Sequence, residues 1–247
     1  MLVKIKQYDV LQSTNETAVE FAKEGYPEGT VILADQQRQG KGRMSRCWSS
    51  PLGGLWFSII LRPTMDPEYV AQITLLTGVV VAKVLRDLYE TEEIKIKWPN
   101  DILFKDKKVC GILAESALTE VGTVNYAVVG VGINVGIHED DIPTEIRKTA
   151  ASLNVECKKD FTANDVLKSI LAEFELMYNN WQAQGSTVFM DLWKKMNCTL
   201  NKQVLVKDDD QVIFSGVVTD INHYGAIVVQ NENGISQEFN FGEISIR

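Results

Sequence analysis

Histidine is scarce in this sequence and cysteine is scattered. Two histidines and four cysteines (Cys47, Cys110, Cys157, Cys198), with no CxxC pair, supply too few clustered ligands for a zinc site. Reduced thiols are the simplest reading. No stretch approaches the roughly 20 consecutive apolar residues that span a bilayer, and the opening MLVKIKQYDV alternates apolar and polar residues where a signal peptide would be continuously apolar. A soluble, cytoplasmic protein without a membrane partner is expected. Positive charge is in deficit, with 25 Lys and Arg against 33 Asp and Glu, a net charge of -8 and a pI near 4.9. That balance argues against a general nucleic-acid binder. No basic helix-turn-helix segment precedes the first predicted strand, so DNA is not expected as a partner. Internal repeats and low-complexity linkers are missing too, while 247 residues at 45% hydrophobic content suffice for one large domain and a small one packed on it.

Hydrophobic periodicity predicts a strand over Val3 to Tyr8, then a short helix. Ser13 and Glu16 have capping-box spacing ahead of Ala18, Val19, Phe21 and Ala22, and Gly25 should end that helix. Strands are predicted at Val31 to Ala34 and Leu55 to Leu61. A long apolar helix should run from Pro67 to about Glu90, with proline at its first position. Strands at Ile94 to Lys97, Asp101 to Phe104, Val109 to Ala117 and Thr123 to Val135 make a hairpin-rich sheet, followed by helices at Thr162 to about Ala183 and at Ser186 to Met196. From Gln203 onward short alternating strands are separated by turns at Asp208-Asp209-Asp210, Tyr224-Gly225 and Asn231 to Gly234, which predicts a small antiparallel β module. Two domains are therefore expected, residues 1–198 and 199–247.

Against the acidic background, Arg38 to Trp48 reads RQGKGRMSRCW, with four cations and two glycines in eleven positions. Glycine permits backbone conformations and close approaches that a Cβ would block, and Arg38, Lys41, Arg43 and Arg46 can give charge-assisted hydrogen bonds to phosphate or carboxylate. An anionic ligand is one reading and a solvated basic loop the other. No Lys-Ser or Lys-Thr closes a Walker run, and position 45 is Ser, so GxGxxG fails as well. Three more segments bear on the choice. Ser13-Thr14-Asn15 can hydrogen-bond a polar heterocycle, or simply cap the helix. Lys97-Trp98-Pro99-Asn100-Asp101 precedes Lys108 and Gly111-Ile112-Leu113; Pro99 fixes a turn that could aim Lys97 and Asn100 into a cleft instead of following strand alternation, whereas Trp98 reads as core, Lys108 could be a solvated hairpin charge and Asp101 could merely close a turn. Gly130-Val131-Gly132-Ile133-Asn134-Val135 puts two glycines into an apolar strand, for close approach of another group or for a bulge.

Together these segments resemble the biotin protein ligase family. ADQQRQGKGRMSRCW, from Ala34 to Trp48, is similar to the family's AxxQxxGRGRxGRxW, with Lys41 in place of Arg and Ser45 in place of Gly; the family's KWPND, K, GIL and GxGxN follow in the same order. Ala151-Ser152-Leu153 also resembles a family segment, without an assigned role, and GVVTDINHYGAIVV (Gly216 to Val229) is similar to the terminal SH3-like module. The resemblance covers nearly the whole chain except the N-terminal DNA-binding domain of repressor-type members, so a monofunctional type is expected. It implies an α+β fold: a mixed sheet with packed helices in a biotin/lipoate ligase-like catalytic domain, plus a small SH3-like β-barrel.

The resemblance further implies ATP-dependent formation of biotinyl-5′-AMP, then transfer of biotin to a lysine of a biotin carboxyl carrier protein or domain. Biotin would be held by Ser13, Thr14, Asn15, Gln37, Gly40, Lys41, Gly42, Arg43, Lys108 and Gly111, and ATP by Arg43, Arg46, Trp48, Asn100 and Asn134, with Mg²⁺ on the phosphates. Arg43, Lys97 and Lys108 would screen the repulsion between carboxylate and α-phosphate; Asp101 would serve as a base or positioning group. A mobile basic loop closing over the adenylate is expected to keep it from water. The sheet edge that recruits the acceptor could also make a homodimer. A lipoate–protein ligase-like acyltransferase and a non-catalytic biotin-binding sensor are the alternatives.

Overall fold

Leu55–Leu61 (LWFSIIL) is buried at every position, so both faces of this strand must be covered. The computed structural model, which describes residues 3–208, 211–240 and 243–246, shows how. In chain order the first part runs β1 (Lys4–Leu11), α1 (Thr14–Lys23), β2 (Thr30–Lys41), β3 (Cys47–Ser50), β4 (Leu55–Leu61), α2 (Gln72–Tyr89), β5 (Ile94–Lys97), β6 (Asp101–Phe104), β7 (Lys107–Leu118), β8 (Val124–Ile133), α3 (Leu153–Cys157), α4 (Ala163–Gln184) and α5 (Thr187–Met196). The sheet order is β1-β2-β4-β8-β7-β6-β5, with β3 on β2; β1 and β2 are parallel and the other pairs antiparallel. Because side chains alternate along a strand, Leu55, Phe57, Ile59 and Leu61 join a large core with α2, α4 and α5, while Ile60 turns to the other face and meets Ala18 and Ala22 of α1.

The apolar segment Pro67–Tyr89 is long and hydrophobic enough to cross a bilayer by length and composition, contrary to the expectation from the sequence, but it is largely buried in this core. Its start differs as well. Pro67–Tyr69 is a 3₁₀ turn, continued by i→i+3 bonds from Ile73 N to Val70 O (3.0 Å) and Thr74 N to Ala71 O (3.2 Å), before α2 begins at Gln72. The basic segment is likewise not an open loop. β2 extends to Lys41 and pairs with β3, so Arg38 to Trp48 forms a β-hairpin closed by Gly42 N to Arg46 O at 2.7 Å, with Met44 and Ser45 at its tip in the left-handed region (φ 53 and 58). At Ser13 the capping oxygen accepts from Glu16 N (3.4 Å), whereas the Glu16 carboxylate is engaged by Lys41 rather than closing the box. α4 does carry a complete capping box, Thr162 with Asp165.

β9 (Gln203–Asp208), β10 (Gln211–Ile221), β11 (Ile227–Gln230), β12 (Ser236–Phe239) and β13 (Glu243–Ile246) form a separate antiparallel sheet, ordered β12-β11-β10-β9-β13. Asp209 and Asp210 of the turn expected there lie outside the described residues. This module packs against the first part. Trp98 Nε1 donates to Gly225 O (3.0 Å), Gln72 donates to His223 O, Tyr69 stacks on Tyr224, and Lys194 pairs with Asp220 at 2.7 Å. That carbonyl, and burial to 2% exposure, make Trp98 a core residue.

Candidate active site

Glycines at matching positions of neighbouring strands leave a trench in the sheet, and here Gly111 of β7 is paired in register with Gly132 of β8. The indole of Trp48, carried over by the β2–β3 hairpin, lies in that trench. A Cβ on Gly111 would stand 2.8 Å from Trp48 Cζ3, and one on Gly132 2.6 Å from Trp48 Nε1. The ring meets Trp56 edge-on at 6.4 Å and lies 5.0 Å from Lys108 Nζ; its buried N–H has no hydrogen-bond partner among the described residues. On either side of Trp48 is a cavity of about 170 Å³.

The first cavity is polar and cationic. The start of α1 gives it Ser13, Thr14 and Asn15, β2 gives Gln37 and Lys41, the hairpin tip gives Gly42, Arg43 and Arg46, the β5–β6 turn gives Asn100, and the β6–β7 hairpin gives Asp101, Lys108 and Gly111. Their orientations are fixed by hydrogen bonds. Gln37 Oε1 accepts from Thr14 N (2.7 Å), and Gln37 Nε2 donates to Ser50 Oγ (2.8 Å). Asn100 Nδ2 donates to Ile112 O (2.8 Å), which turns Asn100 Oδ1 toward Arg43 Nη1 at 3.5 Å. Lys108 Nζ pairs with Asp101 Oδ1 at 2.7 Å, so Asp101 is placed to aim that ammonium. Lys41 Nζ pairs with Glu16 Oε1 at 2.7 Å, and the Glu16 hydrogen bond pushes the Lys41 pKa up, outweighing burial, which lowers it.

The second cavity is apolar. Ile137, Ile142, Pro143, Ile146 and Ala150 line it with Trp48 and Pro51, and its polar lining includes Lys108, Asn134, Asp141 and Thr149. Asn134 is thus at the second cavity, its amide held by donation to Ala151 O at 3.0 Å. Cys47, Trp48 and Lys108 border both cavities.

Two expected residues fall elsewhere. Lys97 lines neither cavity: β5 keeps strict alternation, with Ile94 and Ile96 inward and Lys95 and Lys97 outward, so Pro99 redirects only the residues after it. Its charge acts instead on Cys198, whose thiol pKa burial nevertheless raises. Gly40 is also outside both, because its Cα faces the hairpin partner, where a Cβ would lie 2.4 Å from Trp48 O. Arg38 lies along an outer groove beside the hairpin. Conversely, Gly130, Val131, Gly132, Ile112, Leu113 and Cys47 line the polar cavity without having been assigned a contact there. The paired glycines in two apolar strands were the available signal for the trench.

A polar, cationic cavity and a mostly apolar one, sharing Cys47, Trp48 and Lys108, make a site suited to a ligand with two chemically unlike ends, as in the ligases that activate a small acid with a nucleotide. The chain belongs to the biotin/lipoate A/B protein ligase family: the family model of that description matches residues 8–134, and a biotin protein ligase C-terminal domain matches 199–247. The bifunctional ligase/repressor BirA of Bacillus spizizenii is 35% identical over 230 residues, spanning 93% of this chain and 70% of that protein. A biotin–[acetyl-CoA-carboxylase] ligase of Paracoccus denitrificans is 27% identical over 90% of this chain and 92% of its own. The structure of an Aquifex aeolicus biotin protein ligase in complex with biotin and ATP superimposes with a TM-score of 0.82, at 28% identity, over 99% of this chain and 98% of that one.

Proposed function

We propose that this chain is a biotin–protein ligase that makes biotinyl-5′-AMP from biotin and ATP and passes the biotinyl group to a lysine of a biotin carboxyl carrier domain. The observation that carries the reading is the pair of unlike cavities on either side of Trp48, both bordered by Lys108. A bicyclic ureido ring suits the hydroxyls of Ser13 and Thr14 and the amide of Gln37, and a purine suits the apolar wall of Ile137, Ile142 and Ile146 beside an aromatic ring.

In the first step a biotin carboxylate oxygen attacks the α-phosphorus and pyrophosphate leaves. Both reactants are anions. Arg43, Arg46 and Lys108, fixed beside the trench, offset that repulsion more effectively than water because their positions are set before reaction. Magnesium is the expected companion of ATP. Among the described residues no group of three or more His, Cys, Asp or Glu forms a metal site; of the carboxylates that line the cavities, Asp101 is paired with Lys108 and Asp141 stands at the apolar one. The ion therefore fits as one carried on the triphosphate, which neutralises phosphate charge. In the second step the acceptor amine attacks the acyl carbon, AMP leaves, and the amine gives up a proton; Asp101 stands at the cavity for that role or for aiming Lys108. We place the reaction in the cytoplasm. β1, at the outer edge of the large sheet, is the surface offered to an acceptor or a second copy.

The polar end favours biotin over lipoate, whose dithiolane cannot use these hydrogen-bonding side chains. Intact mass spectrometry of a carrier domain incubated with the protein and ATP-Mg²⁺ tests this. A single ATP-dependent biotinyl increment is expected, with none from lipoate. An increment only with lipoate would move the assignment to the acyltransferase, and none with either, despite biotin binding, would make the chain a sensor.

A further inference from the structure

We propose that Glu115 is a positioning residue that sets the hydrogen-bonding polarity of the polar cavity, acting through Asn15 and Ser58 so that Thr14 presents an acceptor to ligand N–H groups. The inference rests on the reading of that cavity as the ureido pocket. Glu115 is on β7, beyond the residues that line the cavity, and Ser58 is fully buried in β4.

A carboxylate only accepts hydrogen bonds. Glu115 Oε2 lies 2.8 Å from Asn15 Nδ2, and Leu113 O lies 3.3 Å from the same nitrogen, so the two amide hydrogens of Asn15 are both directed to β7. Its Oδ1 must then face Ser58, whose Oγ is 2.6 Å away. The amide cannot shift to escape this contact, being seated on Gly130, where a Cβ would be 1.9 Å from Asn15 Oδ1. Ser58 has one hydroxyl hydrogen and also lies 2.9 Å from Thr14 Oγ1. With that hydrogen given to Asn15, Thr14 receives none from Ser58. Thr14 is itself the donor, to Ser58 or to Gln37 Oε1 at 3.0 Å, and its oxygen lone pairs remain for the cavity. Backbone Thr14 N–H already occupies Gln37 Oε1 at 2.7 Å. A ureido ring brings N–H donors to such an acceptor, whereas a dithiolane brings none.

Biotin affinity by calorimetry and the KM values for biotin and ATP in pyrophosphate release test the relay. Glu115→Ala should weaken biotin roughly tenfold or more, as expected for loss of one or two oriented hydrogen bonds, with the ATP KM within about twofold. Glu115→Gln, whose amide oxygen still accepts from Asn15, should stay within about threefold. Preference for biotin over an N-methylated ureido analogue should narrow in Glu115→Ala, a change that a purely structural role would not produce. If Glu115→Ala fails to fold, Glu115→Leu, which likewise offers Asn15 no acceptor, carries the same expectation. Unchanged biotin affinity in either variant, or Glu115→Gln as weak as Glu115→Ala, would overturn the proposal. Thr14→Val separates the two levels: if it leaves biotin binding intact the pocket assignment itself fails, whereas weakening in Thr14→Val alone refutes only the role of Glu115.

Discussion

The two cavities beside Trp48 have the same volume, about 170 Å³, and opposite chemistry. The polar one is assembled from α1, β2, the hairpin tip, the β5–β6 turn, β6 and β7, which contribute its donors, acceptors and cations, with the glycines of β8 as its floor. Much of the apolar one comes from a single stretch, residues 137–150, laid against Trp48. Precise orientation in the first depends on hydrogen bonds from residues far apart in sequence, whereas the second needs only shape and low polarity. Mutations should therefore act differently on the two sides.

The largest effect should come from the cation that both sides share. Lys108→Ala should lower pyrophosphate release roughly 100-fold or more, the scale for removing a preorganised charge at a developing anion; a loss confined to one substrate's KM would show that Lys108 serves one cavity alone. Next comes the divider itself. Gly111→Ala puts a methyl 2.8 Å from Trp48 Cζ3, so the ring must move, and the KM values for biotin and ATP should rise together, about tenfold. A rise in only one would mean that Trp48 does not bound both.

Ile142→Ala sharpens the comparison from the apolar side. It removes a buried wall of the second cavity, and a loss of about 1 kcal/mol of apolar contact should raise the ATP KM roughly fivefold, leaving the biotin KM unchanged. The smallest effect belongs to the Lys41–Glu16 pair, whose side chains are 45% and 41% exposed. Glu16→Gln should change the biotin KM less than threefold and less still at high salt. Because Glu16 raises the Lys41 pKa in the folded state, the pair's contribution to stability is fully present below the unfolded pKa near 10.5 and is lost as pH rises through the higher folded value. Any difference between Glu16→Gln and the parent in thermal melts should accordingly be flat from pH 7 to 9 and shrink only at strongly alkaline pH.

This contrast also explains what was legible in the sequence. Thr14, Gln37, Arg43, Asn100 and Lys108 stood out because they belong to the short polar and basic motifs that carry the family resemblance, and all of them reach the polar cavity. Ile137, Ile142 and Ile146 are indistinguishable by composition from core residues, so of the expected site residues only Trp48, Lys108 and Asn134 line the apolar cavity. The strands and helices followed from periodicity, but the run to Lys41 did not: glycines and cations in Arg38 to Lys41 read as a loop, while pairing with Cys47–Ser50 makes them strand. Lys97 failed for the converse reason, since alternation in a short edge strand outweighed the neighbouring proline. Glu115 and Ser58 carry no local signature. Their roles exist only where β4, β7 and α1 meet.

A crystal structure with a non-hydrolysable biotinyl-5′-AMP analogue is the most direct test of the division at Trp48. The account predicts the ureido ring against Thr14 and Gln37, the adenine against Ile142 and Ile146, and the linking phosphate near Lys108. An analogue bound in the reverse sense, or with both rings on one side of Trp48, would contradict it.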